Sequence, residues 1–122
     1  MGATVILVHA DTGSTGAFTV PRATIEAMAM RIVERFRPVR VVLFGSQATG
    51  QATYDSDVDF LIVMHIPGRR LDQALEIRKA LRGFGVAKDI VLLTPDEFAA
   101  QKDLPGTIAY PAAHHGLLLY AA

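Results

Sequence analysis

The sequence predicts an α/β (α+β) domain, built as a small mixed β-sheet with helices packed mainly on one face. Three observations carry this. Short, strongly apolar runs of strand length recur at Val39–Phe44, Asp57–Met64 and Val86–Leu93. Segments with a helical spacing of apolar residues stand before and between them. Gly- and Pro-containing turns separate the pieces at Gly45, Pro67-Gly68 and Gly83–Gly85. The 122 residues fit one domain. Residues 1–20 read as an extension or extra strand, and 21–122 as the domain proper.

Thr4–Ala10 is β-branched and apolar, a short strand by composition, and Asp11–Gly16 is a link. Pro21 suits a helix start, because the first turn tolerates its fixed φ and missing N–H. Ile25, Met28, Ala29, Ile32, Val33 and Phe36 then form one apolar stripe, ended by Pro38. Val39–Phe44 is the first strand of the domain proper. Gly45–Asp55 is a turn followed by a short helix or loop, and Asp57–Met64 is the second strand. Arg70–Arg82 reads as a helix with Leu71, Ala74, Leu75, Ile77 and Leu81 inward, stopped by Gly83 and Gly85. Val86–Leu93 is the third strand. Thr94-Pro95-Asp96-Glu97 is a helix start with a capping box. A short helix over Gly106–His115 and a last strand over Leu117–Tyr120 complete the order.

Composition narrows the function. Lys+Arg and Asp+Glu balance at 12 each, so the basic excess expected of a protein gripping long nucleic acid is missing. There is no cysteine, which excludes disulfides and thiolate metal sites. No apolar run reaches the ~18 residues of a membrane span. The start lacks the charged n-region and cleavage site of a secretory signal. A cytoplasmic protein is the expectation.

The chemistry concentrates around Gly45-Ser46 and Asp57-Val58-Asp59. A Gly-Ser turn after a strand can offer N–H groups and a hydroxyl to phosphate. Aspartates at i and i+2 of a strand share a face, and Mg²⁺ is typically held by one or two carboxylates plus substrate phosphates. Asp89 interrupts an apolar strand. A buried unpaired carboxylate there is costly, so it needs a cation or donors. One reading is a salt bridge to an arginine, with Lys88 the poorer choice because neighbours on a strand face opposite ways. The other is a third carboxylate joining Asp57 and Asp59. Three such groups fit a two-metal site for in-line nucleotidyl transfer, with ions ~3.5–4 Å apart. Asp55 reads as a turn residue. His114-His115 reads as structural or solvent-facing, because adjacent helical histidines diverge. Tyr110 and Tyr120 read as packing residues with polar tips.

The runs Leu43-Phe44-Gly45-Ser46-Gln47-Ala48-Thr49-Gly50 and Ser56-Asp57-Val58-Asp59-Phe60-Leu61-Ile62-Val63 resemble the signature of the DNA polymerase β superfamily of nucleotidyltransferases. The likeness extends from Val39 to the C-terminal segment, where Leu104–Ile108 and His115–Tyr120 are similar to the endings of the minimal nucleotidyltransferases. Those short proteins are often encoded beside a helical HEPN toxin. The resemblance implies a nucleotidyltransferase-like fold. It implies that Gly45 and Ser46 hold the β- and γ-phosphates of ATP, and that Asp57, Asp59 and Asp89 bind Mg²⁺, with two ions, and carry catalysis. It further implies transfer of AMP to a tyrosine of the HEPN toxin, which makes the chain an antitoxin. Two positions depart from the family: many members have arginine where Gln47 and Thr49 stand. Fewer cations near the phosphates weaken transition-state stabilisation. Arg40, Arg69, Arg70 or a partner residue are the candidate substitutes.

Three functions follow as expectations. The first is Mg²⁺-dependent transfer of AMP to a partner hydroxyl. The second is a non-catalytic antitoxin or nucleotide-binding module that neutralises its partner by contact. The third is transfer to a small molecule such as an aminoglycoside, which needs an acceptor pocket. The stretch after Asp89 is too short for a second clamping domain, so a protein partner or a homo-oligomer mate is expected to present the acceptor. The apolar Val5–Val8 run is a candidate interface.

Overall fold

The structure, a computed structural model, describes residues 20–53 and 56–122. The readings of Thr4–Ala10, Val5–Val8 and Asp55 lie outside them. In chain order the elements are α1 Arg22–Phe36, β1 Arg40–Phe44, α2 Ser46–Thr49, β2 Val58–Val63, α3 Arg70–Ala80, β3 Lys88–Leu93, α4 Pro95–Gln101, α5 Ala109–His115 and β4 Leu117–Ala121. The strands form one mixed sheet in the order β3-β2-β1-β4. β1 runs antiparallel to both β2 and β4, while β2 and β3 are parallel and joined through α3. A parallel pair needs such a crossover, and a helix of about three turns supplies its length.

Strand alternation sorts the core into two layers. Val58, Phe60 and Ile62 of β2 face the side covered by Ile25, Met28, Ala29 and Ile32 of α1 and by Ile77 of α3. Leu61 and Val63 face the other side, with Val42, Phe44 and Leu93, under Ala109 and Ala112 of α5. The two long helices thus cover one face, and short α4 and α5 cover part of the other. Each fully buried Leu, Ile or Phe contributes roughly 1.5–3 kcal/mol by removal from water. Among the described residues, no helix is long and apolar enough to cross a membrane.

The differences from the sequence reading are local. Pro21 stands just ahead of the first helix rather than inside it. That helix closes at Arg37, which takes a left-handed conformation (φ 51°) and donates its N–H to the Val33 carbonyl. α3 ends at Ala80, and β3 begins at Lys88, with Val86 in the irregular link between them. Leu71 and Leu75, expected inward, are 63% and 46% exposed, whereas Ile77 and Leu81 are buried. The last turns of the helix thus supply its buried side chains, while Leu71 and Leu75 of the first turns face solvent.

α4 starts as its sequence demands. Glu97 N–H donates to Thr94 Oγ1 at 3.1 Å, and Thr94 N–H donates back to Glu97 Oε1 at 2.9 Å. Arg70 then donates to both Glu97 oxygens at 2.8 Å and to the Leu92 carbonyl at 2.9 Å, tying α3 to α4 and β3. The Arg70 hydrogen bonds, with the Thr94 backbone bond, bring the Glu97 carboxyl down from the ordinary 4.5 to about 2. A carboxylate with a depressed native pKa stabilises the fold above its unfolded pKa and loses that contribution as pH falls through the native value. Glu97→Gln is therefore expected to be less stable than wild type at pH 6. The gap should close between about pH 4.5 and 2. Thermal unfolding of both proteins across that window is the check, and a gap that persists unchanged at pH 2 contradicts it.

Candidate nucleotidyl-transfer site

The site begins where β1 stops. Gly45 has φ 76° and ψ −160°, a conformation that L side chains rarely adopt. There is a second reason for glycine. A Cβ at this position would overlap Oδ2 of Asp59 outright and would crowd its Cγ at 3.2 Å. The turn backbone therefore lies directly against the carboxylate. Ser46 opens α2, and the Gly45 carbonyl accepts from Ala48 and Thr49 at 3.0 and 3.2 Å. The first N–H groups of this turn stay outside the helical ladder, as at any helix start.

The loop back to β2 is pinned at its far end. Gln47 is fully buried and donates Nε2–H to the Ser56 carbonyl at 3.2 Å. Ser56 Oγ accepts from Thr53 N–H at 2.7 Å, and Ser56 N–H donates to the Thr53 carbonyl at 3.0 Å. This turn delivers Asp57 to the head of β2, whose Val58 N–H bonds the Ala87 carbonyl at 3.0 Å.

Register then brings the aspartates together. Asp59 is paired with Phe44 of β1 on one side and Asp89 of β3 on the other. Asp57, Asp59 and Asp89 share the face that carries Leu61, Val63 and Leu93 further along the strands. α5 covers those apolar residues and leaves the carboxylate end open. Burial pushes Asp59 up from 3.8 to about 6, and the charges of Asp89 and Asp57 push the same way. The side-chain contact with Asp89 acts in the same direction.

Asp89 differs from its expectation. It is exposed, with a side chain 58% accessible, because among the described residues β3 is an edge strand and the sheet face is uncovered at that end. Its apolar neighbours Val91 and Leu93 occupy the covered end of the same face. Among the described residues no three acidic or histidine side chains converge closely enough to hold one ion as they stand. Asp59 and Asp89 are paired in register, and Asp57, one residue ahead of β2, is near enough for its charge to act on Asp59.

The candidate substitute arginines are engaged elsewhere. Arg40 lies over the Phe98 ring at 5.6 Å, at the end of β1 that pairs with Val63 rather than Asp59. Arg69 is 3.8 Å from Asp72 and largely in solvent, and Arg70 is spent on Glu97 and Leu92. The cation beside the site is Arg78, which bears out the arginine partner read for Asp89 but is none of the arginines named as substitutes. Arg78, in the last turn of α3, donates to the Lys88 carbonyl at 3.1 Å and places Nη2 3.6 Å from Asp89 Oδ1. Lys88 itself turns away and donates to the Val86 carbonyl at 2.8 Å. His114 bonds Asp103 at 2.9 Å and stacks on Tyr110, with ring centroids 4.3 Å apart. Tyr120 is buried in the core. These residues have the packing and surface roles expected of them.

The chain belongs to the nucleotidyltransferase domain family. The model of that family matches residues 25–109, well over half the chain, and the match takes in the Gly-Ser turn and all three aspartates. Among solved structures, it is similar to one from Sulfolobus solfataricus described as a "putative nucleotidyltransferase". The two are 18% identical over 88% of this chain and 90% of the other, with a TM-score of 0.54. At that identity the likeness speaks for the fold. No curated protein matches the sequence.

Proposed function

We propose that the chain transfers AMP from ATP, with Mg²⁺, to a hydroxyl of a partner protein. The partner is a HEPN-type toxin, the acceptor is a tyrosine, and the modification makes the chain its antitoxin. The observation that carries the transfer chemistry is the pairing of Asp59 with Asp89 across adjacent strands, with the Gly45 backbone against Asp59. The donor set fits the metal. It is all carboxylate oxygen, it is crowded enough to push Asp59 to about 6, and two close carboxylates leave coordination for phosphate oxygens.

Asp57 and Asp59 would hold Mg²⁺, with Asp89 completing the site. Bound there, the metal supplies counter-charge for the triphosphate and eases deprotonation of the acceptor. Gly45 and Ser46 face the β- and γ-phosphates with N–H groups and a hydroxyl. The acceptor oxygen bonds the α-phosphorus as the bond from that phosphorus to the bridging oxygen breaks. Pyrophosphate leaves, and Asp89 takes the hydroxyl proton in this reading. The open, solvent-facing position of Asp89 supports an acceptor presented by a macromolecule.

One observation favours the binding-only alternative. Gln47 is buried and Thr49 carries no charge, so α2 directs no cation at a phosphate. The test is incubation with labelled ATP, Mg²⁺ and the protein encoded beside this chain. Label is expected on that partner, and Asp57→Asn or Asp59→Asn should remove it. Neutralisation that survives both substitutions, with no label transferred, establishes the contact mechanism instead.

A further inference from the structure

We propose that Arg78 is a positioning residue for the carboxylate site, and that its charge sets how tightly the site holds a divalent cation. On β3 the carbonyls of Ala87 and Leu93 point to β2, where Val58 and Met64 take them. Alternation then turns the carbonyls of Lys88 and Leu92 outward, to an edge on which no further strand lies among the described residues. Two arginines of α3 reach over that edge. Arg78 caps the Lys88 carbonyl at 3.1 Å and Arg70 caps the Leu92 carbonyl at 2.9 Å. Eight residues of helix rise about 12 Å, and four residues of strand about 13 Å, so the two arginines and two carbonyls match in step.

The two arginines differ in what their remaining donors meet. Arg70 is neutralised by the paired oxygens of Glu97. Arg78 is fixed on the strand by one nitrogen, and its other terminal nitrogen lies 3.6 Å from Asp89. Asp89 is an exposed side chain on an edge strand, with several rotamers open to it. A guanidinium anchored to the preceding carbonyl narrows that choice and keeps the carboxylate beside Asp59. The same positive charge opposes any cation that binds there. Other nearby lysines are engaged: Lys88 with the Val86 carbonyl and Lys79 with Glu76. Arg78 thus has two separable effects, one from its charge and one from its forked shape.

This inference rests on the metal-dependent transfer reading, and the experiment separates their failures. Mn²⁺, a spectroscopic stand-in for Mg²⁺, is titrated into the nucleotide-free protein and free ion is read by electron paramagnetic resonance. Wild type, Arg78→Gln, Arg78→Lys and Asp59→Asn are compared, with thermal unfolding to confirm folding. Arg78→Gln is expected to bind Mn²⁺ roughly 3- to 10-fold more tightly, because a repelling charge is gone. Its turnover should fall roughly 5- to 20-fold, because Asp89 is no longer held. Arg78→Lys should restore wild-type Mn²⁺ affinity but not full turnover, since an ammonium cannot hold the carbonyl and the carboxylate in one plane. Wild type that binds Mn²⁺ in an Asp59-dependent way, with Arg78→Gln binding it equally, overturns the role of Arg78 alone. Wild type that binds no Mn²⁺ overturns the metal reading and this inference with it.

Discussion

Asp59→Asn is expected to abolish transfer and at the same time to make the metal-free protein more stable at pH 7. The two effects have one cause. Asp59 lies in an inner strand, half-buried, with the charges of Asp89 and Asp57 acting on it. That setting lifts its carboxyl from 3.8 to about 6, so the ionised form is disfavoured in the native state. A raised native pKa means stability that is fully present below the unfolded pKa and lost as pH rises through the native one. The wild-type penalty therefore grows between about pH 4 and 6 and is complete at pH 7. Solvent screening of a half-buried group reduces it to about 1 kcal/mol, a few degrees in Tm for a domain of this size. The asparagine removes the charge and can still donate to Asp89. It also removes one of the proposed metal ligands, for which a loss of roughly 10³-fold or more in transfer is expected. Thermal scans at pH 4 and pH 8 beside a labelled-ATP assay test both halves. An asparagine variant that is less stable than wild type at pH 8 contradicts the electrostatic account.

Much of this site was legible in the chain because strand alternation is a strict rule. Once Asp57–Met64 is a strand, Asp57 and Asp59 must share a face. The Thr94 capping box and the apolar stripe of α1 were legible for the same kind of reason: both are local patterns with fixed offsets. Pairing information is not local, and that is where the reading of Asp89 went astray. Its neighbours suggested a buried strand, yet β3 is an edge among the described residues, and exposure depends on what lies beside a strand rather than along it. Leu71 and Leu75 show the same limit, since periodicity locates an apolar face but not how much of it is covered. That the arginine beside Asp89 is Arg78 was invisible for a related reason. A basic residue in a last helical turn reads as a partner for the helix end, and only the βαβ crossover reveals that it reaches the strand beside Asp59.

The second large effect concerns Gly45, whose role is conformational and spatial together. Gly45→Ala is expected to cost about 2–4 kcal/mol, combining left-handed strain with the overlap of its Cβ and the Asp59 carboxylate. Transfer should fall roughly 10²-fold even in the folded fraction, because the carboxylate must swing away from Asp89 to make room. The overlap can be isolated from the strain. A methyl at Gly45 would meet Asp59 Oδ2 and Cγ closely, but it would lie 3.6 Å from the Asp59 Cβ, an ordinary contact. Asp59→Ala therefore removes the clash and leaves the strain. In that background Gly45→Ala should cost only about 1 kcal/mol, so the double-mutant cycle should return a coupling of about 1–3 kcal/mol. Urea unfolding of the four proteins measures it. Equal costs in the two backgrounds would mean that the Gly45 backbone does not press on Asp59, and the turn would then be a conformational requirement of the chain rather than one wall of the site.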